Sequence, residues 1–195
     1  MKRVICIIFS VFILTASLSG CGIDGIGENI GNTQSGESLT ESDKLPEKYE
    51  DLSFALTFGT YGISSYDSAS GRLVKTTDAT NPDDYVTELF LGTKELTEIC
   101  DMLLALDIES YPEVYDPIND PDSDDWMMSE PSRKLILTVR LGNMTKTVTC
   151  PDVAYTNTGY DEKSQAFLDV CVKIQDTVTS TDEWKALPDY EVLYE

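Results

Sequence analysis

Apolar and polar side chains alternate along residues 52–58, with Leu52, Phe54, Leu56 and Phe58 on one side and Ser53, Ala55 and Thr57 on the other. This period of two predicts a strand with one face in a core. Two further runs, 61–66 and 72–76, flank Asp67-Ser68-Ala69-Ser70-Gly71, whose small residues and glycine suit a hairpin loop. A strand is also predicted over 85–91. Leu135, Leu137 and Val139 alternate again, Gly142-Asn143 supplies a two-residue turn, and 145–150 returns antiparallel with Val148 at its middle.

The period changes to three and four at two places. After Gly92, Thr93 can cap a helix whose apolar positions Leu96, Ile99, Cys100, Leu103 and Leu104 form one stripe. A second helix is predicted from Asp161, whose carboxylate suits the positive helix end, with Phe167, Val170, Cys171 and Ile174 along one side and a fading end in Thr177-Val178-Thr179. Ser180 with Glu183 matches a capping box for a short turn around Trp184, which Pro188 stops; the tail from Tyr190 is expected to be extended. The order strands, helix, hairpin, helix predicts an α+β fold: an antiparallel sheet of about five strands with both long helices packed on one face.

The chain begins differently. Met1-Lys2-Arg3 precedes an apolar run from Val4 to Leu14, and Thr15, Ser17 and Ser19 interrupt it well short of the roughly 20 apolar residues that a membrane-spanning helix needs. It reads as an export leader. The following Leu18-Ser19-Gly20-Cys21 resembles the lipobox of bacterial lipoproteins, in which an aliphatic residue and two small residues precede the cysteine that is lipidated. The resemblance covers about the first two dozen residues. It implies that the bond between Gly20 and Cys21 is cut, that Cys21 carries the lipid, and that the mature chain is held at the cell membrane on its extracytoplasmic face. Two or more acyl chains hold firmly where a single one binds only marginally.

Three segments are then expected: a signal peptide over 1–20, the lipidated cysteine with a flexible acidic linker over 21–50, and one globular domain over 51–195. The linker is rich in glycine, serine and acid, too poor in apolar surface to offset the entropy of ordering, and random-coil scaling gives it a reach of about 30 Å.

Charge and missing side chains narrow the function. The chain carries 14 basic and 35 acidic residues, a formal −21; removing Lys2 and Arg3 with the leader leaves 12 against 35, a formal −23. Nucleic acid and anionic headgroups are repelled by such a surface, whereas a cationic ligand or a basic face of an envelope protein suits it. The 195 residues contain no histidine. Ser-His-Asp hydrolysis, Cys-His proteolysis and histidine-ligated zinc chemistry are thereby excluded. Any catalysis would rest on carboxylates, lysine or cysteine, and no cofactor is expected. Cys100, Cys150 and Cys171 remain in the body of the chain, an odd count compatible with free buried thiols or with one bridge and one thiol left over.

The most unusual stretch runs from Asp107 to Glu130, rich in acid and proline. Asp120, Asp122 and Asp124 place carboxylates at alternate positions as candidate calcium ligands, like the start of an EF-hand loop. The pattern then departs from that loop, since Asp125 stands where the sharp turn needs glycine and Pro131 where the bidentate glutamate belongs. Like charges and prolines also suit a plain solvated loop. Tyr111, Tyr115 and Trp126 set large rigid groups among the acids, the composition of a partner-binding surface. The expectation is a non-catalytic binding or interaction module of the cell envelope; the competing one is a small carboxylate-dependent envelope hydrolase, which needs a cleft with an acid whose proton affinity burial has raised.

Overall fold

The computed structural model describes residues 45–117, 130–153 and 161–192. Strands β1 (Leu52–Phe58), β2 (Ser64–Asp67), β3 (Arg72–Val74) and β4 (Val86–Glu88) form a meander, α1 (Thr93–Ala105) follows, and β5 (Leu135–Leu141) and β6 (Met144–Cys150) form the second hairpin. Helices α2 (Glu162–Thr179) and α3 (Asp182–Ala186) complete the order. The sheet reads β4-β3-β2-β1-β5-β6, antiparallel throughout, so β5 lies against the outside of β1 and joins the two hairpins into one sheet. This is the α+β fold read from the chain, with six strands in place of five.

Register explains the layers. Leu73 pairs with Tyr66, Tyr66 with Leu56, Leu56 with Leu137 and Leu137 with Val148, and all five are buried in one row across the sheet. Phe54 and Val139 extend that face. Against it lie Ile99, Cys100 and Leu103 of α1 and Phe167, Val170, Cys171, Ile174 and Val178 of α2, so both long helices bury their stripes in one core. Burying each such side chain contributes roughly 1.5–3 kcal/mol. An ion pair of 2.6 Å between Lys173 and Glu98 ties the two helices on their wet side.

Several boundaries differ from the sequence reading, each for a local reason. Residues 61–66 do not form one strand: Gly59, Tyr61 and Gly62 all take positive φ, making a turn, and β2 starts only at Ser64. The 85–91 strand shrinks to three residues because a 3-10 turn at Pro82–Tyr85 precedes it. Thr93 is the first residue of α1 and Gly92 its cap, without a side-chain bond. The short helix is capped by Thr181, whose Oγ1 accepts from Trp184 N at 3.2 Å, one residue after the expected Ser180. Helix α2 does not fade, since Val178 is fully buried and rewards the last turn. Upstream of residue 51, Tyr49 is fully buried and its hydroxyl donates to the Asp101 carboxylate, so ordered chain reaches into the segment read as linker.

The last described residues pack against the core near the ends of β1 and β3. Lys75 is buried, its Nζ donating to the Leu187 carbonyl at 3.1 Å beneath the rings of Trp184 and Tyr190. Trp184 stacks on Phe58, and Glu191 accepts from both N and Oγ1 of Thr80 at 2.9 Å.

Candidate functional site

The loop singled out by composition begins at a left-handed residue, Asp107 (φ 48), which reverses the chain out of α1 into a 3-10 turn at Ile108–Ser110. Tyr111 and Tyr115 come together, with ring centroids 5.1 Å apart and edge to face, and both rings pack on Phe167 of α2 at 5.4 and 5.7 Å. Tyr111 is buried and its hydroxyl donates to the Lys163 carbonyl at 2.8 Å; Tyr115 is half-buried and shares a 2.6 Å bond with Ser164 Oγ. Burial pushes the Tyr111 phenol up to about 12. These two rings anchor the loop to α2, and little of Tyr111 is left for an incoming partner. Trp126, the candidate calcium ligands Asp120, Asp122 and Asp124, and the lipidation site at Gly20 and Cys21 lie outside the described residues.

A second surface emerges from the register. Positions alternate to the core row point to the opposite face of the sheet: Glu88, Arg72, Asp67, Ala55, Thr138 and Thr147 lie in one cross-strand row. Ser65, Thr57, Ile136 and Thr149 form the neighbouring row. Most of these side chains are partly or fully exposed, and among the described residues no helix packs on them. Thr138 and Thr147 share a hydrogen bond of 2.9 Å. Asp67 is the hub. Its Oδ1 accepts from Ala69 N at 2.9 Å and Ser70 N at 3.2 Å, while Oδ2 accepts from Arg140 Nη2 at 3.0 Å. Burial opposes the Asp67 charge, but the Ser70 N–H, the Arg140 guanidinium and the Ala69 N–H outweigh it and hold the carboxyl below its usual range. Nη1 of Arg140 is buried without a hydrogen-bond partner among the described residues. Sequence reasoning missed this face because its row crosses all six strands, whose order across the sheet no local turn encodes; the Thr138–Thr147 pair was readable, from the Gly142-Asn143 turn.

The three buried thiols are tuned away from attack. Burial pushes the thiol of Cys100 up to about 11 and that of Cys150 to about 12, and Cys171 well above its ordinary value. Thiols so protonated are poor nucleophiles. Among the described carboxylates that depart from ordinary values, all move down: Glu98 through Lys173, Asp101 through Tyr49 and Lys48, Asp161 through Ser164, Glu191 through Thr80, and Asp67. A hollow of about 350 Å³ opens between β1, the 68–69 turn and α1, with Leu52, Phe54 and Cys100 on its walls and the carboxylates of Glu50 and Asp51 exposed at its rim. Among the described residues no group of three or more acids and cysteines is placed to hold a metal ion, and no helix is long and apolar enough to cross a membrane. No family model matches this chain and no curated protein matches it, so its function rests on the geometry of its own residues.

Proposed function

We propose that the chain is a membrane-anchored extracytoplasmic lipoprotein whose folded body is a non-catalytic binding or interaction module of the cell envelope. The leader and the Cys21 motif supply the anchor. The observation that carries the binding reading is the second face of the sheet, which offers threonine, serine and an Asp67–Arg140 pair on a rigid six-stranded platform instead of burying them. Small hydroxyl side chains on fixed backbone lose little freedom on association, and the acidic surface favours a cationic ligand or a basic envelope protein. The hydrolase reading needs an acid with raised proton affinity inside a cleft. Among the described residues the shifted carboxylates move the other way, and those at the hollow beside Cys100 stand in solvent.

The test places a photo-crosslinking residue at Thr147 on the sheet face, or at Val172 on the exposed side of α2, in the full-length chain expressed in its own cells. Adducts with an envelope protein from 147 and few from 172, weakening as salt is raised, are expected. Equal yields from both positions, or none from 147, overturn the assignment of the surface.

A further inference from the structure

We propose that Cys150 and Cys171 are a disulfide-forming pair which, once oxidised, bolts the outer strand of the sheet to α2. Cys150 is the last residue of β6, paired with Leu135, and points into the core with no exposed surface. Cys171 lies one turn beyond Phe167 on the buried stripe of α2 and is also inside. A strap joins the two elements at this place. The Thr149 N–H donates to Glu113 O at 2.8 Å and its carbonyl accepts from Tyr115 N at 2.9 Å, while the Tyr115 ring and hydroxyl rest on Phe167 and Ser164 of α2. The end of β6 and the first half of α2 are thereby linked through one loop, and both thiols point into the shared core. Each thiol stands close enough to the aromatic strap to be felt there: Cys150 raises Tyr115, Cys171 raises Tyr111, and Cys150 raises Cys171.

The topology also says which thiol is left over. Leu52 pairs with Leu141 at one end of the sheet, and Leu135 pairs with Cys150 at the other, six residues or about 20 Å away along β5. Cys100 belongs to the first end, lining the hollow with Leu52 and Phe54. Of the three pairings open to the thiols of the described residues, the register sets Cys100 and Cys150 at opposite ends of the sheet, and the strap brings the end of β6 to α2.

The oxidant is a protein or small-molecule disulfide. One thiolate of the pair attacks a sulfur of that disulfide and releases a thiol; the second thiolate then displaces the remaining oxidant sulfur. Two protons and two electrons leave the cysteines, and the oxidant's disulfide becomes two thiols. Because burial keeps both native thiols protonated, the exchange belongs to the folding chain and not to the finished core. In cells the bridge requires the oxidising compartment proposed above; the following test does not.

The full chain is refolded in a buffer of oxidised and reduced glutathione, unfolded without reductant, alkylated and digested with trypsin. Cleavage after Lys146, Lys163 and Lys173 puts Cys150 in peptide 147–163 and Cys171 in peptide 164–173. We expect the two peptides to be joined, to separate on reduction, and Cys100 to be alkylated. Recovery of both as alkylated free peptides, or of either joined to Cys100 or to another cysteine of the chain, overturns the pairing. A Cys100→Ser chain must still yield the joined peptides; their loss from a chain with the wild-type circular dichroism spectrum overturns it equally.

Discussion

Tyr115 and Ser164 meet at 2.6 Å, hydroxyl to hydroxyl, where the loop that follows α1 and pairs with the end of β6 touches the first turn of α2. Ser164 is itself buried, and its N–H donates to the Asp161 carboxylate at 2.6 Å. The cap, the serine and the tyrosine thus form one chain of bonds. Tyr115→Phe removes one partly buried hydrogen bond and should lower stability by about 1 kcal/mol. Asp161→Ala uncaps the helix and should also lower the urea midpoint. Since both act through Ser164, the double variant should lose less than the two single losses added together. Urea denaturation followed by circular dichroism measures this; strictly additive losses would show that the two contacts are independent.

Asp67 and Arg140 are partners, yet they should not be equal in stability. Asp67 accepts three bonds, two of them from the hairpin backbone, whereas Arg140 contributes one and leaves Nη1 buried without a partner among the described residues. Asp67→Ala strips the turn of its acceptor and should cost about 1–2 kcal/mol. Arg140→Met keeps the aliphatic stem over the sheet, removes the orphaned nitrogen, and should stay within about 1 kcal/mol of wild type. A larger loss from Arg140→Met than from Asp67→Ala would refute this ranking.

Two turns test what the left-handed backbone alone costs. Gly71 has φ +69, and a Cβ there would stand 2.7 Å from the Phe90 ring and 3.1 Å from Leu89 O; Gly142 has φ +55 with nothing within 4 Å. Gly142→Ala should therefore cost only the conformational strain, about 1 kcal/mol. Gly71→Ala adds a clash that the exposed Phe90 ring can partly relieve but the backbone oxygen cannot, so its loss should be the larger by thermal unfolding.

The contrast between these sites shows what a chain of this kind displays and what it hides. The 135–150 hairpin is legible because alternation, turn chemistry and return strand lie within a few residues of one another. That β5 joins β1 is not legible, because no turn encodes the register of strands separated by a helix and a long loop. Tyr61 looks like part of an alternating aromatic strand, but Gly59 and Gly62 on either side allow a turn that alternation cannot reveal. Tyr111 and Tyr115 look like displayed anchors because acids and prolines surround them; α2 claims them instead, through Phe167, Lys163 and Ser164, residues some fifty positions later. The Asp67 row across the sheet is invisible for the same reason as the β1–β5 pairing.

The proposed anchor makes a direct prediction. Cys21→Ala removes the only sulfur that the motif offers for thioether linkage to glyceride, so metabolic labelling with a radioactive fatty acid should be lost. The variant should also leave the membrane fraction, because without acyl chains only an acidic protein remains, which anionic headgroups repel. Wild-type labelling or undiminished membrane fractionation of this variant would contradict the proposed anchor.

Stability should fall on both sides of neutrality, for opposite reasons. Asp161, Asp101, Glu98, Glu191 and Asp67 all have folded-state proton affinities below their ordinary values, so each stabilises the fold fully above the ordinary carboxylate range. That contribution is lost as pH falls through the depressed values. Relief of repulsion in a chain of formal charge −21 works against this loss, so the fall should begin only once these five partnered acids protonate and not at the first drop below neutral. On the alkaline side the sign reverses. Tyr66 is raised from 10.0 to about 12 by burial, and Cys150 from 9.0 to about 12, so the fold keeps them neutral while the unfolded chain ionises. Stability present below pH 9 is therefore lost between about pH 9 and 12, with Tyr66 alone contributing on the order of 2–3 kcal/mol. Urea midpoints between pH 3 and 11 should trace a dome; Asp161→Asn should flatten its acid limb and Tyr66→Phe its alkaline limb above pH 10. A Tyr66→Phe chain whose alkaline limb stays as steep as that of wild type would show that this phenol does not drive the loss.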